Sequence, residues 1–68
     1  MSEPDRFIGY PEVEARTDSS RVTVYRRTRT DPSFPQPIRL GGRTVFSENS
    51  LNRWMAQKVA SAQRKAGA

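Results

Sequence analysis

The stretch Ser20-Arg21-Val22-Thr23-Val24-Tyr25-Arg26-Arg27-Thr28-Arg29-Thr30-Asp31-Pro32-Ser33-Phe34-Pro35-Gln36-Pro37-Ile38-Arg39-Leu40-Gly41-Gly42-Arg43-Thr44-Val45-Phe46 decides the fold. Ser20 is a strong N-cap residue, so a helix is predicted from Arg21 to about Arg29. Asp31-Pro32 stops it, because the proline ring pushes the preceding residue out of the helical region. Pro32 then suits the second position of a turn over Asp31 to Phe34. Prolines 32, 35 and 37 keep the connection stiff and out of any ladder before Ile38. Gly41-Gly42, set between Ile38-Arg39-Leu40 and Arg43-Thr44-Val45-Phe46, predicts a hairpin with a two-residue primed turn, since glycine takes positive φ at low steric cost. In that register Leu40 faces Arg43 and Ile38 faces Val45, while Arg39 and Thr44 share the other face. Ile38, Leu40 and Val45 form the expected core face, with Arg43 at the tip.

Toward the N-terminus, Pro11 suits the first helical position and Glu12 and Glu14 lie near the positive end of the helix dipole. A short helix is therefore predicted from Pro11 to Arg16 or Thr17. The residues Thr17-Asp18-Ser19-Ser20 are all cap or turn formers, which leaves a tight turn between two short helices. Toward the C-terminus, Ser47 caps a last helix with Glu48 in its first turn. Leu51, Trp54, Met55, Val59 and Ala62 recur there at the spacing of one helical face. We read that stripe as core; a partner-binding stripe is the alternative.

The order is helix, tight turn, helix, proline-rich connection, hairpin, helix. That is a mainly α chain with a small β-hairpin, a winged helix-turn-helix whose second helix is presented to a groove. The winged-helix domain is expected over residues 7–62, between a flexible arm at 1–6 and a flexible basic tail at 63–68. Sixty-eight residues hold at most one domain with a small core.

With neither cysteine nor histidine, the chain offers no disulfide, no Cys/His zinc site, no thiolate nucleophile and no histidine base. Glu12 and Glu14, two apart on a helix, point away from each other and make no acid/base pair. No catalytic residue, metal, cofactor or small-molecule substrate is expected. No apolar run approaches a membrane span, and MSEPDR lacks the basic-then-apolar order of a signal peptide, so a cytoplasmic protein is expected.

Twelve basic residues against seven acidic give +5 at pH 7, and ten of the twelve are arginine. Arginine's planar fork engages phosphates and guanine edges with two bonds at once, which points to a nucleic-acid partner. The charge is localised. Residues 16–29 hold five arginines against Asp18, and residues 49–68 hold Arg53, Lys58, Arg64 and Lys65 with no acid.

With Val24 of the second helix turned inward, rotation by about 100° per residue puts Val22, Arg26 and Arg29 on the opposite face, flanked by Thr23 and Tyr25. A methyl surface, a hydroxyl and a guanidinium fork suit a thymine methyl, a base edge or phosphate, and guanine. The opposite arrangement buries Val22 and Tyr25 and leaves the arginines merely solvated. Ser20, with the free N–H groups of the first turn, favours a phosphate, and Tyr25 can offer its hydroxyl to another. Arg16 and Arg27 are assigned to the DNA backbone. In the wing, Arg39 and Arg43 bracket Gly41 and Gly42, whose missing side chains permit close approach to a minor groove.

The runs Gly9-Tyr10-Pro11-Glu12-Val13, Ser20 to Arg26, Phe34-Pro35-Gln36-Pro37-Ile38-Arg39-Leu40-Gly41-Gly42-Arg43 and Leu51-Asn52-Arg53-Trp54 together resemble the AlpA-like phage and prophage regulators. They also resemble the related small excisionases of MerR-type winged-helix fold. The resemblance spans about Phe7 to Val59. It implies a phage or mobile-element protein that binds double-stranded DNA, with Ser20, Arg21, Thr23, Tyr25 and Arg26 in the major groove and Arg39 and Arg43 at the adjacent minor groove. The chain departs from the pattern at the turn, where Asp18 and Ser19 replace a glycine and an apolar residue, and at Arg27, a place usually apolar.

The expected role is a transcriptional regulator. The alternative is an excisionase that binds adjacent sites, bends DNA and assists integrase. Integrase or RNA polymerase are the protein partners these roles imply, together with self-association on DNA. A rival from another class is a protein-interaction adaptor or anti-repressor using Trp54 and Met55. RNA is disfavoured, because the aromatics do not interleave with arginines as stacking platforms.

Overall fold

The computed structural model describes residues 4–67, with side chains through residue 63. Its elements run β1 (Phe7–Ile8), α1 (Tyr10–Thr17), α2 (Arg21–Thr30), β2 (Ile38–Leu40), β3 (Arg43–Ser47) and α3 (Glu48–Gly67). This is the mainly α architecture with a hairpin wing, compatible with a winged helix-turn-helix.

α1 starts one residue before Pro11, at Tyr10, because Gly9 in extended conformation already accepts the first helical bond, Val13 N to Gly9 O at 3.1 Å. It ends on Asp18, whose φ of 52° is left-handed, and Ser19 N reaches back to Glu14 O at 3.0 Å. That backward bond closes a Schellman-type stop, with aspartate where glycine is commonest. Ser20 then caps α2 by accepting from Thr23 N at 3.2 Å. Asp31 leaves the helix in extended conformation before Pro32, and Phe34 N to Asp31 O at 3.1 Å closes the expected turn.

The hairpin has the register read from Gly41-Gly42: Ile38 opposite Val45, Arg39 opposite Thr44, Leu40 opposite Arg43. Both glycines have positive φ, 52° and 84°, as a primed turn requires. The sheet nevertheless has three strands, in the order β1-β3-β2. Ile8 pairs with Phe46 and Phe7 with Ser47, all antiparallel.

That third strand corrects the expected core face. The central cluster is Ile8, Val13, Val24, Phe34, Phe46, Leu51 and Trp54, so β3 faces the helices with Phe46, one residue out of phase with Val45. Val45 is buried as expected, whereas Ile38 is only partly buried and Leu40 is 44% exposed. Leu40 belongs to the wing tip and not to the core. The aromatic contacts run in series: Tyr10 meets the edge of Phe46 at 5.3 Å, Phe46 meets Phe34 at 6.3 Å, and Phe34 meets Trp54 at 4.8 Å. Such edge-to-face pairs add about 0.5–1.5 kcal/mol each beyond burial.

The inner end of the expected arm has hydrogen-bond partners on the body. Asp5 accepts from the Ser47 hydroxyl and from Asn49 N, and Glu48 N donates to Arg6 O at 2.8 Å, which ties residues 5 and 6 to the start of α3. Residues 1–3 lie outside the described residues. Ser47 caps α3 through Ser50 N at 3.1 Å, as expected. The helix continues through Gly67, into the segment set apart as a tail, whose Ala, Gln, Arg and Lys are good helix formers. Ala68 is outside the described residues. The stripe on α3 divides: Leu51 and Trp54 are buried and Met55 packs against the core, while Val59 and Ala62 are exposed.

Candidate nucleic-acid interface

The site rests on which face of α2 the core claims. Val24 is fully buried, whereas Val22 on the far side is 63% exposed and Tyr25 51% exposed. Arg26 and Arg29 are exposed with them, and Thr23 is partly so. The arrangement in which Val22 and Tyr25 fill the core is therefore excluded. α2 contains no acidic residue, so its outer face presents a valine surface, a threonine hydroxyl, a phenol and arginines with no carboxylate of the same helix to neutralise them.

Ser20 and Thr23 are joined twice, through the cap and through their hydroxyl oxygens at 3.0 Å. The cap takes one N–H of the first turn and leaves those of Arg21 and Val22 directed outward, the usual donors to an anion at a helix start.

The arginines differ sharply in what holds them. Arg16, assigned from sequence to the DNA backbone, is exposed but paired: its Nη2 lies 2.7 Å from Glu12 Oε2 and 2.6 Å from Glu48 Oε2. Those bonds, that to Glu12 foremost, raise its pKa further above the ordinary arginine value. Arg27, assigned to the same role, donates to Ser19 Oγ at 3.0 Å and lies 5.3 Å from the Trp54 ring centroid. The two together pin α2 to the preceding turn and to α3. Arg21 stacks on Tyr10 at 4.4 Å, and Arg29 donates to Tyr25 Oη at 3.2 Å. Among the described residues Arg26 has neither an ion pair nor a side-chain hydrogen bond, so its fork is free for a ligand.

The wing places Arg39, Gly41, Gly42 and Arg43 on its exposed tip. Cβ atoms built on Gly41 and Gly42 meet nothing within 4 Å, so the turn stands clear of the body. Arg39 and Arg43 project from opposite faces of the hairpin, as its register dictates. Leu40 between them is a residue that sequence reasoning placed elsewhere. The missing signal was the strand β1, which decides which face of β3 is inward.

Trp54 is buried and its Nε1 donates to Asp31 Oδ2 at 3.2 Å, so it serves the core and the α2–α3 junction. Asp31 also accepts from the Ser33 hydroxyl at 2.6 Å and Ser33 N at 3.0 Å. These bonds, led by the Ser33 hydroxyl, lower its pKa to about 2. Among the described residues no group of acidic side chains could hold a metal ion, and no helix is long and apolar enough to cross a membrane.

A family model described as prophage CP4-57 regulatory protein (AlpA) matches residues 6–59, from the arm's anchored end to the exposed half of α3. No curated protein and no solved structure matches the chain.

Proposed function

The chain belongs to the AlpA family of prophage regulatory proteins, and from that premise we propose that it binds double-stranded DNA sequence-specifically as a transcriptional regulator. α2 enters the major groove and the hairpin lies along the adjacent minor groove. The observation that carries the reading is the outer face of α2, where Val22, Tyr25 and Arg26 stand exposed opposite a buried Val24 with no acid on the helix. An apolar side chain held in water beside a free guanidinium suits base reading: Val22 for a thymine methyl, Thr23 for a base edge, Arg26 for guanine. Ser20 and Arg21 sit at the helix start, where the free N–H groups favour a phosphate. Arg39 and Arg43 flank a turn bare enough for a groove wall. Arg16 and Arg27 stabilise the two-helix unit that presents this face.

Titration of a labelled duplex at several salt concentrations tests the reading. Affinity should fall steeply as salt rises, with a slope set by a handful of phosphate contacts. Binding that is absent or indifferent to salt sinks it. Arg26→Ala should relax base preference at one position by about 1–3 kcal/mol, whereas Arg39→Ala weakens all sequences more evenly. Footprinting separates the two roles: one operator overlapping a promoter fits the regulator, and several phased, bent sites fit an excisionase working with integrase.

A further inference from the structure

Resting on the DNA-binding reading, we infer that Tyr25 and Arg29 form one composite phosphate-binding unit at the C-terminal end of α2, in which Tyr25 positions the Arg29 guanidinium. The two residues are four apart and so share a helix face. Arg29 Nη1 donates to Tyr25 Oη at 3.2 Å, and its guanidinium carbon lies 5.8 Å from the ring centroid.

The chemistry follows from which group donates. A phenol oxygen that accepts from arginine keeps its own O–H free to donate, and the guanidinium keeps its other N–H groups. The pair therefore presents adjacent donors and a positive charge, which calls for an anion with two acceptor oxygens, as a phosphodiester has. Asp31, the nearest acid in sequence, is turned inward to Ser33, Trp54 and Lys58, so it leaves that charge intact.

Position selects backbone over base. Recognition helices read bases with their N-terminal residues, and Arg29 is the next-to-last residue of α2. The other held arginines differ in kind: Arg16 is neutralised by two carboxylates and Arg27 is drawn against Trp54, whereas Arg29 is held on the exposed face by an exposed partner. Holding a long side chain in place before binding lowers the ordering cost of the contact.

The test compares the full chain and its variants on two short labelled duplexes, one carrying a site selected from a random pool and one unrelated. Tyr25→Phe keeps the ring and removes the hydroxyl; it should weaken binding by about fivefold on both duplexes alike. Arg29→Ala should weaken both by about tenfold and reduce the log–log salt slope by about 1. The double variant should be weaker than Arg29→Ala by less than the full Tyr25→Phe loss, because part of the hydroxyl's effect acts through the guanidinium. Arg29→Lys keeps the charge without the fork, so it should retain the salt slope and shrink the effect of Tyr25→Phe. Unchanged affinity of Tyr25→Phe, losses that multiply in the double variant, or a loss confined to the selected site overturns the unit while DNA binding stands. A wild-type chain that binds neither duplex overturns the DNA reading itself.

Discussion

Asp18 carries the left-handed backbone that turns α1 into α2, with φ 52° and ψ 46°. Aspartate tolerates that region better than most residues, yet its Cβ still costs energy that glycine does not incur. Asp18→Gly should therefore stabilise the protein by about 0.5–1 kcal/mol in urea denaturation, and a loss of stability would show that the carboxylate has a role the turn geometry does not explain. The other two departures from the pattern that the resemblance implies meet each other: Ser19 Oγ accepts from Arg27, whose guanidinium lies over Trp54. Asp31 offers a second test at this scale. Its pKa is lowered to about 2 from 3.8, led by the Ser33 hydroxyl bond. A depressed carboxylate contributes stability above its unfolded pKa and loses it as pH falls through the folded value. Thermal unfolding followed by circular dichroism should show stability declining from about pH 4 to about pH 2, with the decline shallower in Asp31→Asn; Asp5, lowered chiefly by the Ser47 hydroxyl, contributes in the same sense.

At the scale of elements, β3 decides what is core and what is interface. Phe46 is fully buried and touches two aromatic rings, while Leu40 at the tip of β2 is exposed. Phe46→Ala should cost about 3–5 kcal/mol, whereas Leu40→Ala should cost under about 1 kcal/mol and leave the melting curve close to wild type. Equal costs would mean that the wing tip packs on the body. The turn residues Gly41-Gly42, the Ser20 and Ser47 caps and the stop at Asp31-Pro32 were legible because each rests on local chemistry. β1 was not, since a two-residue strand has no periodicity and exists only because β3 offers a free edge. Without it, alternation in a four-residue strand does not show that both Val45 and Phe46 are buried. The outer face of α2 was legible as one of two arrangements, and the burial of Val24 against the exposure of Val22 chose between them. The Arg16–Glu48 pair was not legible, because the two residues lie 32 apart and meet only in the folded chain.

At the scale of the whole molecule, stability and charge are carried by different parts of the chain. Among the described residues the buried side chains end at Trp54, although α3 continues through Gly67 and Val59 on its outer half is 56% exposed. Residues 61–68 hold Arg64 and Lys65 and no acid, so deleting them lowers the net charge from +5 to +3. Long-range attraction to a polyanion depends on that total and is screened beyond about 10 Å at 0.1 M salt. The shortened chain should therefore keep its thermal midpoint, because no described core contact is lost. It should associate with duplex DNA more slowly at low salt and at nearly the wild-type rate at high salt, since steering acts on the association rate. Stopped-flow association measured across a salt series, beside thermal melts of both chains, checks the two statements together. A collapse of the melting midpoint would show that the distal half of α3 supports the fold, and a rate deficit that persists at high salt would show that it makes direct contact with the DNA.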